Sequence, residues 1–171
     1  SLLWHPEPGT SFSSLASLNG WQRRFCLWQW AYRGTRDDPG LMLAIVPGEQ
    51  CVGALFEFDD PVTAETIWPV WRRELVGNGY LPAIVEVATG KGTVEALTFI
   101  ANPQSPRFVP AITRSEAVRR IAAGVGPRGA SADYLCRTWQ AFRDLGVFDS
   151  ELEGLTAGVA VELDARLEGR R

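Results

Sequence analysis

Residues 80–100 read YLPAIVEVATGKGTVEALTFI, and the fold class turns on them. Residues 80–87 and 94–100 are rich in β-branched and aromatic side chains, which suit a pleated, half-buried surface. Pro82 has no N–H to give a ladder and pushes the first run towards a sheet edge. Upstream, residues 24–30, 41–46 and 51–58 also read as strands. The middle one sits between Pro39-Gly40 and Pro47-Gly48, two turn signals.

The helices announce themselves by caps. Asp60 and Pro61 read as N-cap and first helical position. Ile67, Trp68, Trp71 and Leu75 then recur at helical spacing. Thr113 with Glu116 is a capping-box pattern ahead of Val118 and Ile121, and Gly124 stops that helix. Ser131 caps a helix with Leu135, Trp139 and Phe142 on one face. Ser150 with Glu153 opens a last helix carrying Leu152, Leu155, Val159, Leu163 and Leu167, which Gly154 and Gly158 weaken. Strands dominate the first hundred residues, with one helix inserted, and helices dominate the rest. That segregation predicts an α+β fold with a mainly antiparallel sheet or barrel.

The chain has 171 residues, which predicts one domain over residues 1–171 with a core that needs no staples. A net charge of −3 gives no electrostatic footprint for nucleic acid. No apolar run reaches the ~18 residues of a membrane span. No basic region precedes an apolar stretch at the N-terminus, so no secretory leader is expected. The three cysteines, Cys26, Cys51 and Cys136, are odd in number and lack CxxC spacing. Free thiols in a reducing, cytoplasmic compartment follow, and Cys26 and Cys136, in apolar runs, are expected in the core. The chain starts at Ser1 without a methionine, and residues are expected to be missing in front of it.

Much chemistry is excluded. The one histidine, His5, lies beside Pro6 and reads as an exposed loop residue, so a Ser-His-Asp or Cys-His site has little to build on. Neither HExxH nor a Cys/His cluster offers a metal site, and no GxxxxGK[ST] offers a phosphate loop. Residues 124–129, GVGPRG, match GxGxxG literally, with Asp149 twenty residues beyond Gly129. The dinucleotide motif needs a strand in front, whereas a helical run precedes this one, so a helix–helix connection is expected. Trp21, Trp28 and Trp30, three of seven tryptophans, read as core rather than as a stacking platform.

Two side chains keep functional interest. Glu74 falls about 20° from Ile67 and about 60° from Trp71 on a helix projection, so its carboxylate borders the apolar stripe. A desolvated carboxylate has a raised pKa and exchanges protons near neutral pH. A surface glutamate paired with Arg72 or Arg73 fits the same spacing. Tyr134 stands in the first turn of the Ser131-capped helix. Its hydroxyl can orient a polar ligand near a helix N-terminus, or its ring can simply fill the core.

Several segments together resemble one family. Residues 20–28, GWQRRFCLW, are similar to the GWxRRFCLW stretch of ChaC-type glutathione-specific γ-glutamylcyclotransferases. So are Tyr32-Arg33-Gly34-Thr35, Pro39-Gly40-Leu41, the WRRE of residues 71–74, the LTFIAN of residues 97–102, and residues 126–135, GPRGASADYL, with Asp133 where the family has Glu. The resemblance implies a small mostly antiparallel β-barrel flanked by helices and a lyase that needs no cofactor. It implies Glu74 as the catalytic acid/base. It implies that Ser1, Leu2, Leu3 and Trp4 end a YGSLxW loop that binds the γ-glutamyl moiety, the Tyr and Gly of which are not in this chain. It implies Tyr134 as a ligand-facing residue. The expected substrate is glutathione, a small molecule, with no nucleic-acid or membrane partner. A cyclotransferase for other γ-glutamyl amines or amino acids, and a non-catalytic binding module on the same fold, remain as alternatives.

Overall fold

The computed structural model describes residues 2–169. The chain forms two compact units, each built from two stretches: Ser1–Arg23 with Ala44–Ser105, and Arg24–Leu43 with Pro106–Arg171.

The first unit is built on β-structure. Strands β1 (Thr10–Gln29), β2 (Gly40–Phe58), β3 (Tyr80–Thr89) and β4 (Gly92–Ala101) close into a barrel in the order β1-β2-β4-β3. β3 and β4 form an antiparallel hairpin in continuous register from Tyr80↔Ala101 to Thr89↔Gly92. β1 meets β3 antiparallel at Ala16↔Thr89, and β2 meets β4 parallel at Ile45↔Ile100. Strand alternation buries Ala16, Leu18, Cys51 and Val87, with Trp21, Ile45, Leu55, Val85 and Ala96 packed against them. Ile84 and Glu86, the alternate positions of β3, are exposed.

Two expectations change here, at the start of β1 and at Pro47-Gly48, and the one for Pro82 fits. β1 begins at Thr10, well before residue 24, because its first half alternates in small and polar residues: Ala16 and Leu18 point in while Leu15 and Asn19 are exposed. Pro47-Gly48 makes no turn, and β2 runs straight through it. The Gln22 side-chain amide donates to the Pro47 carbonyl at 3.1 Å, and a Cβ on Gly48 would lie 2.4 Å from Gln22 Cγ, so a glycine is what lets Gln22 cross there. Pro82 pairs with Phe99, while β1 reaches β3 only at Ala88 and Thr89, away from the proline.

Helix α1 (Ala64–Leu75) starts later than Asp60-Pro61 suggested. Its N-cap is Thr63, in a reciprocal capping box with Thr66, which satisfies two orphan donors at once. Val70 is its buried residue, and the Trp71 ring meets Phe99 edge-on at 6.2 Å. Trp68 is 60% exposed and does not belong to the packed stripe.

The second unit is mostly helical. α2 (Arg114–Ala123), α3 (Ser131–Asp144) and α4 (Ser150–Glu168) pack on one another. Ile121, Leu135, Leu152, Leu155 and Val159 are fully buried. Thr113 caps α2 by accepting from the Glu116 N–H, and Gly124 ends it, as expected. The other two caps differ. Asp149, not Ser150, caps α4, accepting from the Glu151 and Leu152 N–H groups. Ser131 is the first residue of α3 rather than its cap; its hydroxyl accepts from the Leu41 N–H at 3.2 Å and donates to the Leu41 carbonyl at 3.1 Å, the two bonds a neighbouring strand would offer. Gly158 weakens α4 by propensity but gains a contact: a Cβ there would lie 2.8 Å from Val118 Cγ2 of α2.

A short hairpin, β5 (Val125–Gly126) and β6 (Gly129–Ala130), joins α2 to α3. The GxGxxG pattern therefore follows a helix, and its glycines serve packing. A Cβ on Gly124 would fall 2.6 Å from Gly40 Cα, and one on Gly126 would fall 2.5 Å from the Tyr32 carbonyl oxygen. The Arg128 N–H donates to that same carbonyl at 2.8 Å. The loop facing them is held from inside by buried Gln29, whose Oε1 accepts from the Ala31 and Tyr32 N–H groups.

Cys26, Cys51 and Cys136 are all free thiols. Cys26 is buried as expected, but Cys136 is exposed, because α3 turns Leu135 and Thr138 inward and leaves Cys136 on the opposite side of the turn. No described helix is long and apolar enough to cross a membrane.

Candidate active site

Glu74 lies in the last turn of α1, in the first unit. Its side chain is 14% exposed. Arg73 Nε stands 3.3 Å from Glu74 Oε1, yet Oε1 is buried with no hydrogen-bond partner among the described residues. The ion pair is close but misaligned. Burial pushes the Glu74 carboxyl above the usual carboxylate range; Arg73 pulls it down and Glu7 pushes it up again. A carboxylate that is desolvated, with one oxygen left without a hydrogen-bond partner among the described residues, is suited to take a proton and return it.

The N-terminal segment runs past the same helix end. Arg73 Nη1 donates to the His5 carbonyl at 2.8 Å and stands 3.8 Å from a Glu7 carboxylate oxygen. Leu2, Leu3 and Trp4 are half-buried in a turn. Ser1 lies outside the described residues. His5 is exposed, as expected, and contributes a backbone carbonyl rather than its ring.

Tyr134 is in the second unit. It is 4% exposed, with the Phe25 ring edge-on at 6.0 Å and the Arg33 guanidinium 5.6 Å from its ring centre. Arg33 also donates to the Ala130 carbonyl at 3.0 Å. The same unit has an open groove of about 360 Å³ lined by Trp28, Val109, Ile112, Thr113, Glu116 and Arg120, among others. Its one carboxylate is fully engaged: Glu116 accepts from Arg119 and Arg120, which hold it below the usual range. Unlike Glu74, it is no candidate base.

Of the expected residues, Glu74 and the segment of Leu2, Leu3 and Trp4 belong to one unit. Arg73 and Glu7 are participants that the sequence did not single out. Arg73 was visible only as one of two arginines beside Glu74, and nothing in the spacing ties Glu7 to residue 74.

The closed barrel with its helices is a γ-glutamylcyclotransferase-type fold. A glutathione-specific γ-glutamyl cyclotransferase from yeast superposes with a TM-score of 0.84 at 21% identity, covering 94% of this chain and 92% of that one. The family model described as ChaC-like protein matches residues 1–162, and the chain belongs to that family. A protein named glutathione-specific γ-glutamylcyclotransferase from Escherichia coli (strain K12) is 34% identical over 161 residues, 93% of this chain and 69% of the relative. One from Danio rerio, named glutathione-specific γ-glutamylcyclotransferase 1, is 28% identical over 84% of this chain and 76% of its own length.

Proposed function

We propose that this protein converts glutathione to 5-oxoproline and Cys-Gly, with residues 1–171 acting as one γ-glutamylcyclotransferase-like domain and Glu74 as acid and base. The observation that carries the assignment is the buried Glu74 carboxylate, with no hydrogen-bond partner for Oε1 among the described residues, in a chain of the ChaC-like family.

The substrate carries its own nucleophile. Its α-amine attacks the γ-amide carbonyl and closes a five-membered ring. Folding the γ-glutamyl chain into that geometry contributes on the order of 7–11 kcal/mol in favourable intramolecular cases. The amine is protonated at neutral pH, so Glu74 first removes its proton. Attack leaves a second proton on the ring nitrogen. As the C–N bond of the γ-amide breaks, Glu74 returns its proton to the leaving nitrogen, and the ring nitrogen's second proton passes to the freed amine, so that Cys-Gly leaves as an ammonium and 5-oxoproline as a neutral lactam. A positioned group of this kind adds about 10² to 10⁴ in rate. Backbone N–H groups of Leu2 and Leu3, with Ser1 and Trp4 in the same segment, bind the γ-glutamyl end. Support for that role comes from the Arg73 contacts that bring residues 5 and 7 to the end of α1. Tyr134 is retained as a ligand-facing residue on the GPRGASADYL resemblance, and Tyr134→Phe tests its hydroxyl while keeping the packed ring.

Steady-state kinetics on glutathione, γ-glutamylcysteine and γ-glutamylalanine test the assignment. Binding energy from the glycine end orients the reacting centre, so kcat/KM should fall by about tenfold or more without it, each tenfold being about 1.4 kcal/mol. Equal values across the three substrates overturn glutathione specificity. No 5-oxoproline from any of them leaves a binding module.

A further inference from the structure

We propose that Arg73 is a positioning residue for Glu74: one guanidinium ties the N-terminal segment, through the His5 carbonyl, to the carboxylate, and Glu7 divides its charge so that Glu74 stays a free base. This rests on the assignment of Glu74 as the acid/base.

The geometry separates the two faces of the guanidinium. Nη1 makes a well-formed bond to the His5 carbonyl at 2.8 Å. Nε is only 3.3 Å from Glu74 Oε1 but is not aligned to donate to it. The guanidinium is a planar fork whose donors point in fixed directions, so satisfying His5 with Nη1 fixes where Nε points. Arg73 thus sits beside the carboxylate without capturing it. An aligned, charge-assisted bond there would make Glu74 a poor base. Glu7, 3.8 Å from the same guanidinium, competes for its charge.

Among the described residues, the charged groups acting on Glu74 are Arg73 from its own helix, which favours the ionised form, and Glu7 from the N-terminal segment, which opposes it. Removing Glu7's charge leaves Arg73 undivided and favours ionised Glu74. Removing Arg73's charge favours protonated Glu74. The two substitutions therefore push in opposite directions, which a merely structural role for either residue does not predict.

The experiment is the pH profile of kcat/KM for glutathione, each protein scaled to its own plateau. On the acid limb, Glu7→Gln should gain about threefold and Arg73→Gln should lose about threefold, each about half a pH unit of limb movement. Arg73→Lys keeps the charge, so its limb should stay near the parent's, while KM rises because an ammonium cannot hold His5 and face Glu74 in the same fixed plane. Limbs that move the same way, or that do not move, overturn the proposal. Should Arg73→Gln fail to fold, Glu7→Gln and Arg73→Lys decide it: an unmoved limb in the first, or a limb in the second displaced as far as charge loss would displace it, refutes it. Glu74→Gln with near-parental turnover sinks the acid/base assignment itself, so the two failures are distinguishable.

Discussion

Glu74 and Glu116 are two glutamates of similar sequence setting, each on a helix with arginines within four residues, Arg72 and Arg73 for the first and Arg114, Arg119 and Arg120 for the second, and the structure gives them opposite character. Glu116, on the solvent side of α2, is bonded by Arg119 and Arg120 and held below the usual carboxylate range. Glu74, at the end of α1, is desolvated, has a misaligned arginine beside it, and is held above that range. Proximity to arginine does not decide the chemistry of a carboxylate. Burial and the direction of the donors do.

Exchanging the carboxylates for amides breaks the comparison most sharply. Glu74→Gln should lower 5-oxoproline release from glutathione by about 10² or more, and Glu116→Gln should leave it within about twofold, since a surface ion pair is worth little. Near-parental turnover in Glu74→Gln ends the contrast. Close packing in the second unit gives the next effect. Gly124→Ala puts a Cβ 2.6 Å from Gly40 Cα, a backbone atom that cannot swing away. It should cost about 1–3 kcal/mol, read from urea denaturation; an unchanged midpoint refutes the tight approach.

Stability against pH sharpens the contrast with smaller effects. Glu74's carboxyl is raised in the fold, so its ionised form costs stability above that value, and the cost fades as pH falls through it. Glu74→Gln should therefore melt a few degrees above the parent at neutral pH, with the gap closing in acid. Glu116's carboxyl is lowered, so its contribution is present above the unfolded value and lost as pH falls through the folded one. Glu116→Gln should melt slightly below the parent at neutral pH, with that gap also closing in acid. Calorimetry across the acid range checks both signs; a destabilised Glu74→Gln at neutral pH contradicts the desolvation cost.

The sequence showed what is local and apolar. Four of the five expected strand runs lie inside β2, β3 and β4, and the fifth overlaps β1 up to Gln29; the helices were placed by periodicity and by Thr113 and Gly124. It misled where long-range contacts override a local signal. Pro47-Gly48 reads as a turn until Gln22 of another strand bonds across it. Ser131 reads as a cap until Leu41 claims its hydroxyl. Residues 10–23 hide a strand because a small barrel accepts Ala16 and Ser17 where larger residues would have announced it. Glu74 was legible because its helical phase reports burial. Glu7 was not, because the fold, and not any sequence spacing, brings it to Arg73 and Glu74.

The docking of the residue 31–40 loop on the 124–131 turn also says something about the order of assembly. Its contacts join residues roughly ninety apart, as the Arg33–Ala130 and Leu41–Ser131 bonds show with separations of 97 and 90. Loop-closure entropy is lost before such contacts are gained, which slows folding. Residues 24–43 belong to a unit completed only by residues 106–171, so a ribosome that has released the first hundred residues has exposed the far ends of β1 and β2 with nothing yet made to receive them. On the nascent chain, the final third acts as the clasp that ends this waiting period.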